Sequence, residues 1–106
     1  MTEHLATVGP LDLDPEPRRV AYRGEMIRIS PSECDLLRSL MLRADRIVNA
    51  EALAADVWGE DIPPPSAPLR HLVYRLRSRL ESIGCFDPVI ENRSGIGYGL
   101  IRAEAP

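Results

Sequence analysis

Apolar and polar positions change period twice along this chain. Over the first thirty residues they alternate by twos in short runs, Ala6–Val8, Leu11–Asp14, Arg19–Tyr22 and Met26–Ile29, separated by Gly9-Pro10, Pro15-Glu16-Pro17 and Arg23-Gly24-Glu25. Alternation broken by turn residues predicts a small antiparallel meander, and so thin a sheet must lie against helices. At Ser30 the spacing lengthens to three and four. Ser30-Pro31-Ser32-Glu33 predicts a helix start: Ser30 caps, Pro31 takes the first helical position and Glu33 completes a capping box. This helix runs to about Arg43, with Cys34, Leu37, Leu40 and Met41 on one stripe that Leu36 widens.

A second helix, capped by Asn49, covers Ala50 to Trp58 and stops at Gly59, with Leu53 and Val57 inward and Trp58 beside them. Glu60-Asp61-Ile62-Pro63-Pro64-Pro65 is too rich in proline for a helix and predicts a stiff acidic loop. A third helix begins at Ser66, carries Pro68 in its first turn and runs to about Ile83, where Gly84 ends it. Its apolar stripe is Leu69, Leu72, Leu76, Leu80 and Ile83. Period two then returns in Pro88–Glu91 and Tyr98–Arg102, two strands around the turn Asn92–Gly97. The order is sheet, three helices, hairpin, an α+β arrangement.

Length and composition bound the function. The 106 residues suit one domain spanning 1–106, and 44% apolar with 27% charged residues describes a soluble globular chain. No apolar run approaches the ~20 residues that cross a bilayer, and Met1–Thr7 is no secretory signal, so a cytoplasmic protein without a membrane partner is expected. Cys34 and Cys85 stand far apart without a CxxC spacing and are expected to be small buried hydrophobes. His4 and His71 lack partners at metal-ligand spacing, so neither a metal nor another cofactor is expected. No catalytic Ser/His/Asp or Cys/His set is recognisable. Gly95-Ile96-Gly97 falls in a hairpin and not at a strand-to-helix junction, so it is no nucleotide fingerprint, and an enzyme is not expected.

The net charge of −3 argues against nucleic acid when taken alone, but it is unevenly spread. Residues 1–65 hold 7 Arg against 12 acids; residues 66–103 hold 6 Arg against 3 acids. Every basic residue is Arg, whose planar fork suits phosphates and guanine edges, although a GC-rich genome produces the same bias. The third helix concentrates this charge. With its apolar stripe facing the core, Arg70, His71, Tyr74, Arg75 and Ser78 fall on the exposed side, while Arg77 and Arg79 flank the stripe. A helix anchored by one face and presenting cations and an aromatic on the other suits docking to DNA, with base-reading groups central and phosphate contacts flanking. The same pattern arises where Arg stems merely cover a core.

Five ordered blocks carry a resemblance. Ser30–Leu37 resembles an L-T-x-x-E-x-x-L-L helix start, Arg46–Leu53 an R-V-V-S-R-E-x-L segment, and Val57-Trp58-Gly59 a V-W-G. Val73–Leu80 is similar to I-x-R-L-R-x-K-L, and Ile90-Glu91 with Gly95–Tyr98 to I-x-T-V-R-G-V-G-Y. Together these blocks resemble the OmpR/PhoB-type winged-helix effector domain of bacterial response regulators over residues 8–102. The resemblance implies a winged helix-turn-helix: N-terminal antiparallel sheet, three helices with a recognition helix at about 66–83, and a C-terminal hairpin wing at about 88–102. It implies sequence-specific binding of double-stranded DNA at promoters, in two-component phosphorelay signalling. His71 and Arg75, with Arg70 and Tyr74, would read bases, and Arg77 and Arg79 would lie near phosphates or acidic side chains. Arg93 and Ser94 would serve the wing, with Arg93 near the minor groove. Head-to-tail dimers on direct repeats are implied too, as is contact of the 59–66 loop with RNA polymerase through Glu60, Asp61, Ile62 and Pro63. Four departures stand out: Arg70-His71-Leu72 replaces Asp-Val-His, Ala67-Pro68 replaces a polar pair, Ser94 replaces the Arg before the wing glycine, and Gly99 replaces the Arg after Tyr98. The receiver domain of full-length family members has no counterpart in residues 1–30, which the sheet occupies. The alternative is a winged helix used for protein contact with DNA binding weakened or lost, favoured by the acidic net charge and by the changes at 67–72 and 92–99.

Overall fold

The computed structural model of the protein describes residues 6–59 and 66–104. A four-stranded antiparallel meander opens the fold: β1 (Ala6–Val8), β2 (Leu11–Asp14), β3 (Arg19–Tyr22) and β4 (Glu25–Arg28), in spatial order β1-β2-β3-β4. Alternation sends Leu11, Leu13, Val20 and Tyr22 to the core and leaves Asp12, Asp14 and Arg19 on the outer face, as period two requires. The β3–β4 hairpin turns on Arg23 and Gly24, both at positive φ (46° and 90°), the two-residue geometry whose twist matches the flanking strands.

Helix α1 (Pro31–Leu42) starts where its capping box predicts: the Ser30 hydroxyl accepts from the Glu33 N–H at 3.1 Å, and the Ser30 N–H donates to Glu33 Oε1 at 2.8 Å. Leu36, Leu37 and Leu40 are fully enclosed, because α1 touches β1, β7, α2 (Ala50–Trp58) and α3 (Ser66–Ser82) and is the axle of the core. Asn49 caps α2, its Oδ1 accepting from the Glu51 N–H at 2.7 Å. A buried Ser39 pins α1 to α2: its hydroxyl donates to Asp56 Oδ2 at 2.6 Å and accepts from Arg43 Nη1 at 2.7 Å.

The hairpin of β6 (Val89–Arg93) and β7 (Gly97–Ile101) joins a third sheet member absent from the sequence expectation, β5 (Val48–Asn49), giving the order β5-β7-β6. Two residues are too few to show alternation. What marks β5 instead is Gly97, where an added Cβ would run into the Val48 carbonyl: only glycine lets the two backbones meet. The turn between β6 and β7 is shorter than the expected Asn92–Gly97, since Asn92 and Arg93 are still paired with Tyr98 and Gly97. Meander, three helices and hairpin form the winged-helix fold expected from the sequence. Cys34 and Cys85 are buried and unpaired; burial raises both thiols, Cys85 to about 11. Among the described residues no helix is long and apolar enough to cross a membrane.

Candidate nucleic-acid interface

Helix α3 is held to the core along its length. Leu69, Leu72, Leu76, Leu80 and Ile83 are buried as the periodicity requires, and Val73 joins them. The wheel of apolar spacing pointed to five of these six; Val73 lies one step outside the stripe, between the i and i+4 leucines, and widens the anchored face. Gly84 ends the helix at φ +82°, with its N–H donating to the Glu81 carbonyl at 2.9 Å and Cys85 N–H to Leu80 at 2.9 Å.

Opposite that face the side chains of Arg70, His71, Tyr74 and Arg75 are exposed, Tyr74 at 68%. A tyrosine this open on a helix with a complete apolar face is not part of the packing. Ser78 continues the same exposed surface toward the helix C-terminus.

The two edges of α3 differ. On one, Arg75 and Arg79 stand a turn apart with their Nε atoms 3.9 and 3.6 Å from Glu33 Oε2 at the start of α1. Both arginines remain more than half exposed, whereas Glu33 is only 1% exposed. For Arg79 this is the acidic neighbour the sequence reading allowed. On the other edge Arg77, expected near a phosphate or an acidic side chain, meets a backbone carbonyl. It is half-buried, and its Nη2 donates to the Ile90 carbonyl of β6 at 2.6 Å. Its Nε is enclosed without a partner, and the Nη2 bond joins α3 to the wing.

The wing lies beside the start of α2. The Ala50 N–H donates to the Ile96 carbonyl at 3.1 Å, fixing the hairpin tip against α2. Between them runs a cleft of about 250 Å³, lined in part by Asn49, Glu51, Arg93 and Ile96. Arg93 is exposed, and so is Ser94 in the turn. Ile90 is buried, and side chains alternate along β6, so Arg93 stands on the strand face opposite Ile90. Arg93 also borders the cleft that Asn49 and Glu51 line at the start of α2. At the base of the wing, Asp45 accepts from the Arg102 backbone N–H at 2.8 Å and from its Nε at 3.0 Å. Those bonds lower the Asp45 pKa and raise that of Arg102.

Glu60, Asp61, Ile62 and Pro63, the expected partner loop, lie outside the described residues. Sequence reasoning misses Glu33 beside α3 and the Asp45–Arg102 pair at the base of the wing. The sequence marks Glu33 only as a helix cap, since nothing in its spacing shows a second task; the one available signal is the pair Arg75 and Arg79 at i, i+4. Asp45 and Arg102 are 57 positions apart, beyond any local pattern.

The family model described as "Transcriptional regulatory protein, C terminal" matches residues 24–100. The phosphate regulon transcriptional regulatory protein PhoB of Rhizobium meliloti is 35% identical over 96 residues, covering 91% of this chain and 42% of that protein. The chain thus spans about two-fifths of that relative's length. The C-terminal domain of the nisin resistance regulator NsrR, a lantibiotic response regulator, superposes with a TM-score of 0.78 at 27% identity, covering 93% of this chain and 99% of that one. The RstA DNA-binding domain of Klebsiella pneumoniae, solved in complex with the RstA box, has the same fold, with a TM-score of 0.76 at 24% identity over 92% of this chain and 96% of that one.

Proposed function

Because the chain belongs to the family of transcriptional regulatory protein C-terminal domains, the OmpR/PhoB-type effector domains, we propose that it binds double-stranded DNA at promoters sequence-specifically, with α3 in the major groove and the β6–β7 wing alongside. One observation carries this reading: α3 is anchored by a full apolar face and exposes Arg70, His71, Tyr74 and Arg75 on the other. A helix so mounted presents donors to base edges, and Arg in particular can bond guanine O6 and N7 together. The complex of the RstA domain with its DNA box supports the same use of this fold.

In this reading His71 and Arg75, with Arg70 and Tyr74, read bases. Arg79, Arg93 and Ser94 meet the phosphate backbone, and Arg77 holds the wing in place. The domain extends over about residues 8–102 and works in the cytoplasm as the output of a two-component system. Head-to-tail dimers on direct repeats, and contact of RNA polymerase with Glu60, Asp61, Ile62 and Pro63, complete the proposal. The acids of that loop would be repelled by phosphate, which favours a protein partner. The net charge of −3 favours a second reading, a winged helix that contacts protein instead of DNA.

Selection from random duplex DNA separates the two. A DNA reader enriches a defined site, and Arg75→Ala loses about 1–3 kcal/mol of discrimination at one base pair. A protein-contact module enriches nothing.

A further inference from the structure

Glu33 is a carboxylate taken almost wholly out of water, at 1% exposure. A buried charge is tolerated only when it is paired. Its Oε1 is used by the capping box, accepting from the Ser30 N–H at 2.8 Å. A helix cap needs no more than that. Its Oε2 instead faces the Nε atoms of Arg75 and Arg79, at 3.9 and 3.6 Å, distances that mark charge attraction and not a hydrogen bond. The charged oxygen thus lies beneath the cationic edge of α3.

We propose that Glu33 is a positioning residue for DNA readout: its buried charge draws in the Nε side of Arg75 and Arg79 and orients their forks before DNA arrives. The inference rests on the reading of α3 as the recognition helix. An unpaired exposed arginine samples many rotamers, and ordering it on binding costs affinity at the site that must be discriminated. A fixed guanidinium makes a bidentate base contact without that loss. The same carboxylate cancels part of the positive charge that would otherwise attract any phosphate. Glu33 therefore favours specific over indiscriminate binding by two routes.

Glu33→Gln tests this, because the amide keeps an oxygen for the Ser30 N–H and removes only the charge. Affinities are measured by fluorescence anisotropy for the selected duplex and for a scrambled duplex of the same length. Wild type must first discriminate between the two; if it does not, the DNA reading fails and this inference with it. Given that, Glu33→Gln is expected to bind the scrambled duplex at least as tightly as wild type and to lose about tenfold in the ratio of affinities. In an Arg75→Ala background, where only Arg79 and the charge cancellation remain, the same substitution should change the ratio much less. An unchanged ratio in a folded Glu33→Gln protein overturns the inference, as does an equal drop with Arg75 absent. A further readout needs no variant. By ¹⁵N relaxation the Nε–H groups of Arg75 and Arg79 should be more ordered than that of Arg70, and equal mobility overturns it too.

Discussion

Nη2 of Arg77 reaches the carbonyl oxygen of Ile90 at 2.6 Å and ties the third helix to the wing. The bond joins two elements whose relative placement decides whether both can touch one duplex. Replacing Arg77 by Met keeps the aliphatic stem and deletes the donor, leaving a strand carbonyl without this partner. The expected cost is about 1–3 kcal/mol, read as a lower thermal midpoint. DNA affinity should fall on all duplexes alike, with the ratio between selected and scrambled sites retained. A change confined to one base position would place Arg77 on the bases.

Asp45 and Arg102 close the base of the wing, and their linkage has a pH signature. Arg102 holds the Asp45 pKa below its ordinary value in the folded chain. Its contribution to stability is then present above the usual carboxylate range and is lost as pH falls through the lowered folded value. Asp45 sits at φ +67°, which asparagine tolerates, so Asp45→Asn removes the charge at little backbone cost. Urea unfolding should show Asp45→Asn less stable than wild type at pH 7, the gap narrowing toward pH 3. A gap that widens on acidification would contradict the assignment.

Gly97 is expected to be irreplaceable. A methyl group there would collide with the Val48 carbonyl, where β5 meets β7. Gly97→Ala must push β5 away and with it the Ala50–Ile96 bond that docks the wing tip. A loss of more than about 3 kcal/mol is expected from chemical denaturation, beyond the usual range for a surface substitution. Gly95, whose surroundings are open, should tolerate an added methyl group better despite its φ of +79°.

Arg93 is exposed on the strand face opposite the buried Ile90, so it is expected to meet backbone phosphate and not the floor of the minor groove. Arg93→Ala should weaken binding by similar small amounts on A·T-rich and G·C-rich flanks, with a shallower salt dependence. A loss concentrated on the A·T-rich flank would show insertion, because a narrow minor groove attracts Arg most strongly.

The fold was legible wherever a local rule operates. Period two located the meander, capping chemistry placed the starts of α1 and α2 at Ser30 and Asn49, and Gly84 located the end of α3. The anchored face of α3 was legible from its leucines, and with it the exposed side that holds Tyr74. What escaped was set by tertiary packing. The short strand Val48–Asn49 exists only because glycine at 97 lets it approach. The opposite fates of Arg77 and Arg79, two residues apart and alike in sequence, depend on what stands next to each edge: the Ile90 carbonyl on one side, Glu33 on the other.

Helix α3 is expected to read duplex DNA. The deciding experiment titrates salt against the affinity of the wild-type protein for its selected duplex and for a scrambled one. For a DNA reader log K falls linearly with log salt on both, by about 0.9 for each phosphate neutralised. The selected duplex should be held at least about 10³-fold more tightly at physiological salt. Binding that is insensitive to salt, or equal on the two duplexes, would contradict it.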